Sequence, residues 1–498
     1  LGLENLFFVL QTDKQYKRQM RVLNYLKKVH TSVSISELSR ELACSAPTLR
    51  SDIKSLNLKM PKNFIINYQE RGGITFTYPE WSSIDFCIME LAKQSLSFQI
   101  IDNIFRQRDF SFHRAMEQLF ISESTLRKTI HQMNRVLKEY RIAISPIDLQ
   151  FTGKEADIRF FLFSFYSDFR DYCVMYDIND AENRTYIHLL SSARKAKISK
   201  LHYSYFRAAI WIMVIKERMF SKQFISIDET VQEEVLAKKH FQRFYQIFYK
   251  LFAPNFSQRK NAVEEAIWMY QVCLHCVSYS DPSDPNTDDE EPYVYTREVP
   301  LEIVEEKQTF LETFFEGTKP AAKDLEKISA FLINLSSLNQ LSPLFEKVSY
   351  PLKNFIKSTQ KELFVLWYDY LKKSAAVFPV TYLEDVAVSL TMLSFSIFDK
   401  EKQKKPHVLF SFQGESGYDE YLVHSSKMMI PEHVQTDYHL HGVVTEEIIK
   451  EKQTDLVVCN YELPFIENPP CKIMRLSYIP TMSEWMQMKA VLYQLTNE

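Results

Sequence analysis

One short amphipathic segment occurs twice in this chain. LACSAPTLRSDIKSLN (Leu42 to Asn57) and LFISESTLRKTIHQMN (Leu119 to Asn134) lie 77 positions apart and share Leu, Ser, Thr, Leu, Arg, Ile and Asn in register. In the first copy Leu49, Ile53 and Leu56 recur at i, i+4 and i+7, the spacing of one helix face. Leu126, Ile130 and Met133 repeat that spacing in the second. The opposite face carries Pro47, Arg50, Ser51 and Lys54 in one copy, and Ser124, Arg127, Lys128, His131 and Arg135 in the other. Ser45 and Ser122 stand where an N-cap belongs, because a serine hydroxyl accepts a hydrogen bond from a free N–H of the first turn.

The flanking residues repeat as well. YKRQMRVLNYLKKV and SISELSRELA, the latter capped at Ser34 or Ser36, precede the first copy as two helices. FIINYQERGGITFTY follows it as two strands turned at Gly72-Gly73. Three helices and a hairpin make a winged helix-turn-helix. A helical stretch over 83–108, FSFHRAMEQLF, the second copy, and RIAIS with IDLQFTG turned at Pro146 predict another. A DNA recognition helix packs one stripe on its own domain and turns a polar stripe toward base edges and phosphates. On this reading the candidate DNA contacts are Thr48, Arg50, Ser51, Lys54, Ser124, Thr125, Arg127, Lys128, His131 and Arg135, with Arg71 on the first wing. Threonine and serine near a helix start suit phosphates, and arginine can pair bidentately with guanine. The second copy is the more basic and is expected to be the stronger contact.

Charge distribution agrees. Residues 1–160 hold 23 Lys+Arg against 17 Asp+Glu, whereas the whole chain has a net charge of −3. A basic first third on an acidic body suits a nucleic-acid-binding end. The seven cysteines lack regular spacing, which predicts a reduced, cytoplasmic protein. Cys273-Leu274-His275-Cys276 has no second ligand pair at zinc spacing and reads as buried helical thiols, so no metal or cofactor is expected. Eight glycines in 498 residues argue against phosphate-cradling loops. No window approaches a membrane span, and LGLENLFFVL lacks the basic n-region of a signal peptide.

Beyond the second wing, residues 158–280 are aromatic-rich and helical, SYSDPSDPNTDDEEP (278–292) has no apolar period and reads as exposed, and the acidic linker is placed at 281–299. Residues 300–402 return to amphipathic helices. In 403–498 the runs HVLFSF, DYHLHG, DLVVCN and KIMRLS alternate with helical segments, which predicts a small α/β domain with a mainly parallel sheet.

LQFTGKEADIRFFLFSF, with Gly153, Glu155, Ile158 and Arg159, resembles the G-x-E-x-x-I-R run of transcription regulators bearing phosphotransferase-system regulation domains. Two helix-turn-helix domains (1–80 and 81–157), two helical regulation domains and a C-terminal α/β domain together resemble the Mga family of virulence and metabolic regulators. The resemblance implies a mainly α, multidomain, non-enzymatic regulator that binds promoter DNA as a homodimer or higher oligomer. It also implies histidine phosphorylation by the phosphocarrier protein of the sugar phosphotransferase system, with His202 first in position, His275 second and His240 third. The last domain is similar to the sugar-permease IIB component.

Two departures stand out. No histidine falls between His275 and His407, and Thr391 or Met392 occupies the place of a family histidine in the second regulation domain. The loop FSFQGESGYDE after the first C-terminal strand lacks the cysteine that carries phosphate in the IIB component. An RNA-binding antiterminator shares such regulation domains but starts with a small β-rich domain, and this chain starts with helices. For an enzyme, no nucleophile–base order, P-loop or metal quartet is present.

Overall fold

The computed structural model describes residues 6–29, 32–69, 73–79, 82–106, 110–167, 189, 204–279, 299–316, 320–402, 405–414, 417–430, 434–440, 442–461, 463 and 469–497. Arg71, Gly72, His202 and almost all of the acidic linker lie outside them. The chain forms two compact units, Leu1–Ser394 and Phe395–Glu498.

The first winged domain comprises α2 (Lys14–Lys28), α3 (Ile35–Glu41), α4 (Ala46–Lys59) and the antiparallel hairpin β1 (Ile65–Gln69) and β2 (Gly73–Thr77). Asp13 and Ser34 cap α2 and α3 through their side chains. Gly73, at φ +78°, lets β2 approach Val33, whose carbonyl oxygen would lie 2.9 Å from any added Cβ. Val33 and Ile74 then exchange backbone hydrogen bonds of 3.0 and 2.7 Å, anchoring the wing to the helices.

The second winged domain has α5 (Ile84–Lys93), α6 (Leu96–Arg106), α7 (Phe112–Leu119), α8 (Glu123–Leu137), a 3-10 turn (Lys138–Tyr140), and strands β3 (Ala143–Ile144) and β4 (Phe151–Thr152). The helical stretch expected over 83–108 forms two helices, because the Ser95 hydroxyl accepts from Phe98 N–H and starts a new helix. The wing turns at Pro146 with Ser145 accepting from Ile147 and Asp148 N–H, and it pairs over only two residues per strand. Helix α1 (Leu6–Leu10) precedes the first winged domain in sequence but packs against the second, where its Leu10 carbonyl accepts from Ser97 Oγ.

Helix α9 (Glu155–Ser167) leaves the second wing and enters a helical body of α10 (Tyr205–Phe220), α11 (Glu229–Leu236), α12 (Lys239–Phe252) and α13 (Arg259–His275). Thirteen residues of α13 are buried, all round the helix, so it sits inside the body. Helices α14 (Leu301–Phe314), α15 (Ala322–Asn339), a 3-10 turn (Pro343–Glu346), α16 (Tyr350–Thr359), α17 (Lys361–Lys373) and α18 (Leu383–Lys402) follow, with α15 packed on α13. A continuous apolar core runs from Leu6 to Phe345, joining both winged domains to this body.

The second unit holds a wholly parallel sheet in the order β6-β5-β7-β8, formed by β5 (His407–Ser411), β6 (Gln435–Tyr438), β7 (Leu456–Cys459) and β8 (Lys472–Arg475). Three of the four predicted strand runs, HVLFSF, DLVVCN and KIMRLS, contain one of these strands, whereas DYHLHG overlaps β6 only at Asp437 and Tyr438 because that strand begins earlier, at Gln435. Helices α19 (Tyr418–Met429), α20 (Glu446–Glu451) and α21 (Met482–Asn497) connect or follow the strands. The central strands β5 and β7 are almost continuously buried, as a sheet covered on both faces requires.

Candidate nucleic-acid interface

The repeated segments become α4 and α8, and their match extends to atomic detail. Ser45 and Ser122 accept from the N–H of Thr48 and Thr125. The Thr48 and Thr125 hydroxyls lie 2.8 and 2.9 Å from the same serine oxygens. Leu49, Ile53 and Leu56, and Leu126, Ile130 and Met133, are all buried. Each such side chain contributes about 1.5–3 kcal/mol toward docking its helix. The residue in the tight turn before each helix, Ala43 or Phe120, takes a left-handed conformation at φ 48° or 51°.

The repeated asparagine has a role that the helical wheel does not reveal. Asn57 Nδ2 donates to the Ile66 carbonyl (2.9 Å) while Ile66 N–H donates to Asn57 Oδ1 (2.8 Å). Asn134 forms the same pair of bonds with Ile144, at 2.9 and 2.7 Å. A side-chain amide thus stands in for a neighbouring strand and fixes each wing to its own helix, α4 or α8. The sequence signals this position by repeating it in both copies, but the partner lies in another element. Asn134→Ala would leave a half-buried N–H and C=O of Ile144 without their partner, at a cost of about 1–3 kcal/mol. Hydrogen exchange should report faster exchange at the Ile144 amide while the centre of α8 stays protected.

Opposite the apolar stripe, Arg50, Ser51 and Lys54, and Ser124, Thr125, Arg127, Lys128, His131 and Arg135, are exposed, and Thr48 is half-exposed. The two copies hold their arginines differently. Arg50 donates to Tyr68 Oη on its own wing (3.0 and 3.2 Å) and lies over that ring. Arg127 pairs with Glu123 (2.8 Å) one turn before it and lies 4.7 Å from the centre of the Phe112 ring. The exposed face of α8 therefore includes a carboxylate among its cations. An exposed pair of this kind contributes about 0–1 kcal/mol, so a phosphate can displace Glu123 at little cost. Among the described residues no carboxylate pairs with Lys54, Lys128, His131 or Arg135.

The G-x-E-x-x-I-R run forms the joint behind this interface. Gly153, at φ +136°, sits so close to the chain that an added Cβ would lie 3.0 Å from the Arg141 carbonyl. Glu155 accepts from Arg159 (2.9 Å) and from Arg218 of α10 (2.9 and 2.7 Å). Arg159, 0% exposed, also grips Glu265 of α13 at 2.8 and 2.6 Å and donates to the Gln223 carbonyl at 3.0 Å. Asp157 receives Arg141 at 3.0 and 2.6 Å and Ser342 at 2.8 Å. These ion pairs lock the end of the second winged domain to the helical body.

Of the histidines singled out, His202 lies outside the described residues. His240 is half-buried in the first turn of α12. His275 closes α13 and is buried; Trp211 Nε1–H donates to its Nδ1 (3.0 Å), and an Arg207 nitrogen lies 2.7 Å from its Nε2. Burial, and then the Arg207 charge, push its pKa well below 6.5, so the ring is neutral near neutral pH. Burial also pushes the Cys276 thiol up to about 12, and Cys273 is shifted the same way. Thr391 is buried and donates to the Ala387 carbonyl. In the C-terminal unit Asn460, after β7, bonds both ways with Gln413 in the loop after β5 (2.8 and 2.9 Å). Among the described residues no helix is long and apolar enough to cross a membrane.

Two domain families match the chain. The M protein trans-acting positive regulator (MGA) HTH domain covers residues 13–72, and the Mga helix-turn-helix domain covers residues 80–166. Among characterised proteins, the capsule synthesis positive regulator AcpA of Bacillus anthracis is 25% identical over 146 residues, 29% of this chain and 30% of that protein. A putative trans-acting regulator of Streptococcus pneumoniae is 26% identical over 157 residues, 31% of each chain. The anthrax toxin expression trans-acting positive regulator of B. anthracis is 24% identical over 157 residues, 32% of this chain and 33% of that one. Each match thus spans about a third of the relative's own length.

Proposed function

We propose, from the premise that the chain belongs to the Mga family, that it is a DNA-binding transcription regulator acting on promoter DNA through both helix-turn-helix units. The observation that carries this reading is the duplicated recognition geometry. Two serine-capped helices turn a polar, cation-bearing face outward, each clamped by an asparagine to its own wing. The names of the matched relatives, positive regulators of capsule and toxin synthesis, point the same way.

In this reading residues 158–280 and 300–402 are regulation domains, and 403–498 is a IIB-like domain serving as an interaction surface. Homodimerisation or higher assembly runs through these parts, away from the DNA. The parallel strand order with β5 and β7 central supports the IIB-like assignment. The loop after β5 is cysteine-free and bonded to Asn460, which supports a binding rather than a phosphate-transferring role. Regulation through the phosphocarrier protein would act on the first helical block. There His202 remains the first candidate by its place in the sequence, and His275 is the less suited of the others because it is buried and its Nδ1 already accepts from Trp211. The protein would work in the cytoplasm.

Fluorescence anisotropy on the full chain tests the reading, using a duplex and a structured RNA hairpin of equal charge over a salt series. The duplex should bind more tightly, with log affinity falling linearly as log salt rises. Equal or tighter binding of the hairpin would support the antiterminator reading instead.

A further inference from the structure

We propose that a cavity of about 480 Å³ in the first unit is a binding site for a small organic anion with an apolar, ring-bearing body, its charged group seated on Arg207. The proposal goes beyond the DNA-binding reading and does not depend on it. The cavity lies where α9, α10, α13 and α15 meet the 3-10 turn Pro343–Glu346 and Tyr140, just beyond α8. Its volume falls within the roughly 300–1,000 Å³ of small-molecule sites.

The charge inside the cavity is uneven. Arg207 is surrounded by protein yet keeps surface toward the cavity, and no carboxylate of the described residues reaches it. Among the described residues it lies against the neutral His275 ring and the face of Phe163, with the ring centre 6.0 Å away. A guanidinium with no counter-charge among the described residues is costly in such surroundings, and an anion would offset that cost. Lys347 adds a second cation at the rim, 3.9 Å from Glu139 and lying over the Tyr140 and Tyr382 rings. Among the described residues the one carboxylate lining the cavity, Glu346, is already occupied by Asn339 Nδ2 and Tyr382 N–H, both at 2.6 Å.

The walls set the rest of the ligand. Phe160, Phe163 and Phe345 surround His275 with ring centres 4.9–6.0 Å from it, and Phe331 meets Tyr279 edge-on. A bare hydrated anion would leave these faces uncovered, whereas an aromatic or branched body would bury them and gain the usual apolar stabilisation.

Thermal melting and titration calorimetry of the full chain provide the test, with phenyl phosphate and benzoate as probes. Inorganic phosphate and benzyl alcohol supply the charge and the body separately. Both aromatic anions should raise the melting midpoint saturably, and the two half-probes should act far more weakly at the same concentration. The ratio of phenyl phosphate to benzoate affinity tells a phosphate ligand from a carboxylate. Arg207→Gln should weaken binding by at least about tenfold, the effect of removing one charge-assisted hydrogen bond, and Arg207→Lys should recover part of it. Met392→Trp, at a partly exposed position of the lining, should block the cavity without disturbing the core, and it serves if Arg207→Gln does not fold. No saturable shift with either aromatic anion, or a shift unchanged in both Arg207→Gln and Met392→Trp, would overturn the proposal.

Discussion

Arg159→Met should destabilise the first unit by about 3–5 kcal/mol, the range for removing one partner of a buried ion pair. The substitution roughly conserves side-chain length but strands Glu265, which is fully buried and otherwise accepts only from Ile225 N–H among its described contacts. It also leaves the Gln223 carbonyl and Glu155 short of a donor. Urea unfolding of the full chain would measure the effect as a fall in midpoint. Arg159→Met with Glu265→Leu should recover much of it, because the damage comes mainly from the uncompensated carboxylate rather than from a missing attraction. A single variant that unfolds at the wild-type midpoint would mean the G-x-E-x-x-I-R run is not what holds the winged domain to the body.

That joint marks the boundary of what a one-dimensional reading can reach. Leu49, Ile53 and Leu56 are legible because a helix buried on one side writes its packing into the sequence with a period near 3.6. The caps at Ser45 and Ser122 are legible because their partners lie three residues away. The central C-terminal strands β5 and β7 can be seen because strands buried in a parallel sheet read as short apolar runs between turn residues, whereas the edge strand β6, with the sequence QTDY, carries no such run. The partner of Arg159 cannot be found this way. Glu265 is 106 positions away, on a helix buried all round and so without a periodic stripe to mark its faces. The same applies to Asn134, whose repetition is visible but whose bond to Ile144 depends on the fold of the wing. Arg127 and its i−4 partner Glu123 are visible on one helix, whereas the contact of Arg127 with the Phe112 ring requires the relative rotation of α7 and α8. The cavity around Arg207 draws on segments from Leu6 to Leu393, and no local pattern encodes it.

The largest functional effect is expected from α8. Lys128→Ala with Arg135→Ala should weaken duplex DNA binding by about 10–100-fold, since each is an exposed cation that no described carboxylate already neutralises. The slope of log affinity against log salt should become shallower by about one for each phosphate that the variant no longer neutralises. Arg50→Ala with Lys54→Ala in α4 removes equal charge and should cost less. Arg50 is partly committed to Tyr68 of its own wing, and the position after Lys54 that aligns with Arg135 is Leu58, 82% exposed and uncharged. Comparing the two double variants at one salt concentration therefore separates net charge from placement. If both lose the same affinity and slope, the protein reads DNA only through its overall basic end, and neither helix has a privileged place in the groove. If only the α8 variant loses slope, the duplicated helix has diverged into a main contact and a supporting one, with Glu123 as the internal counter-charge that a DNA phosphate displaces from Arg127.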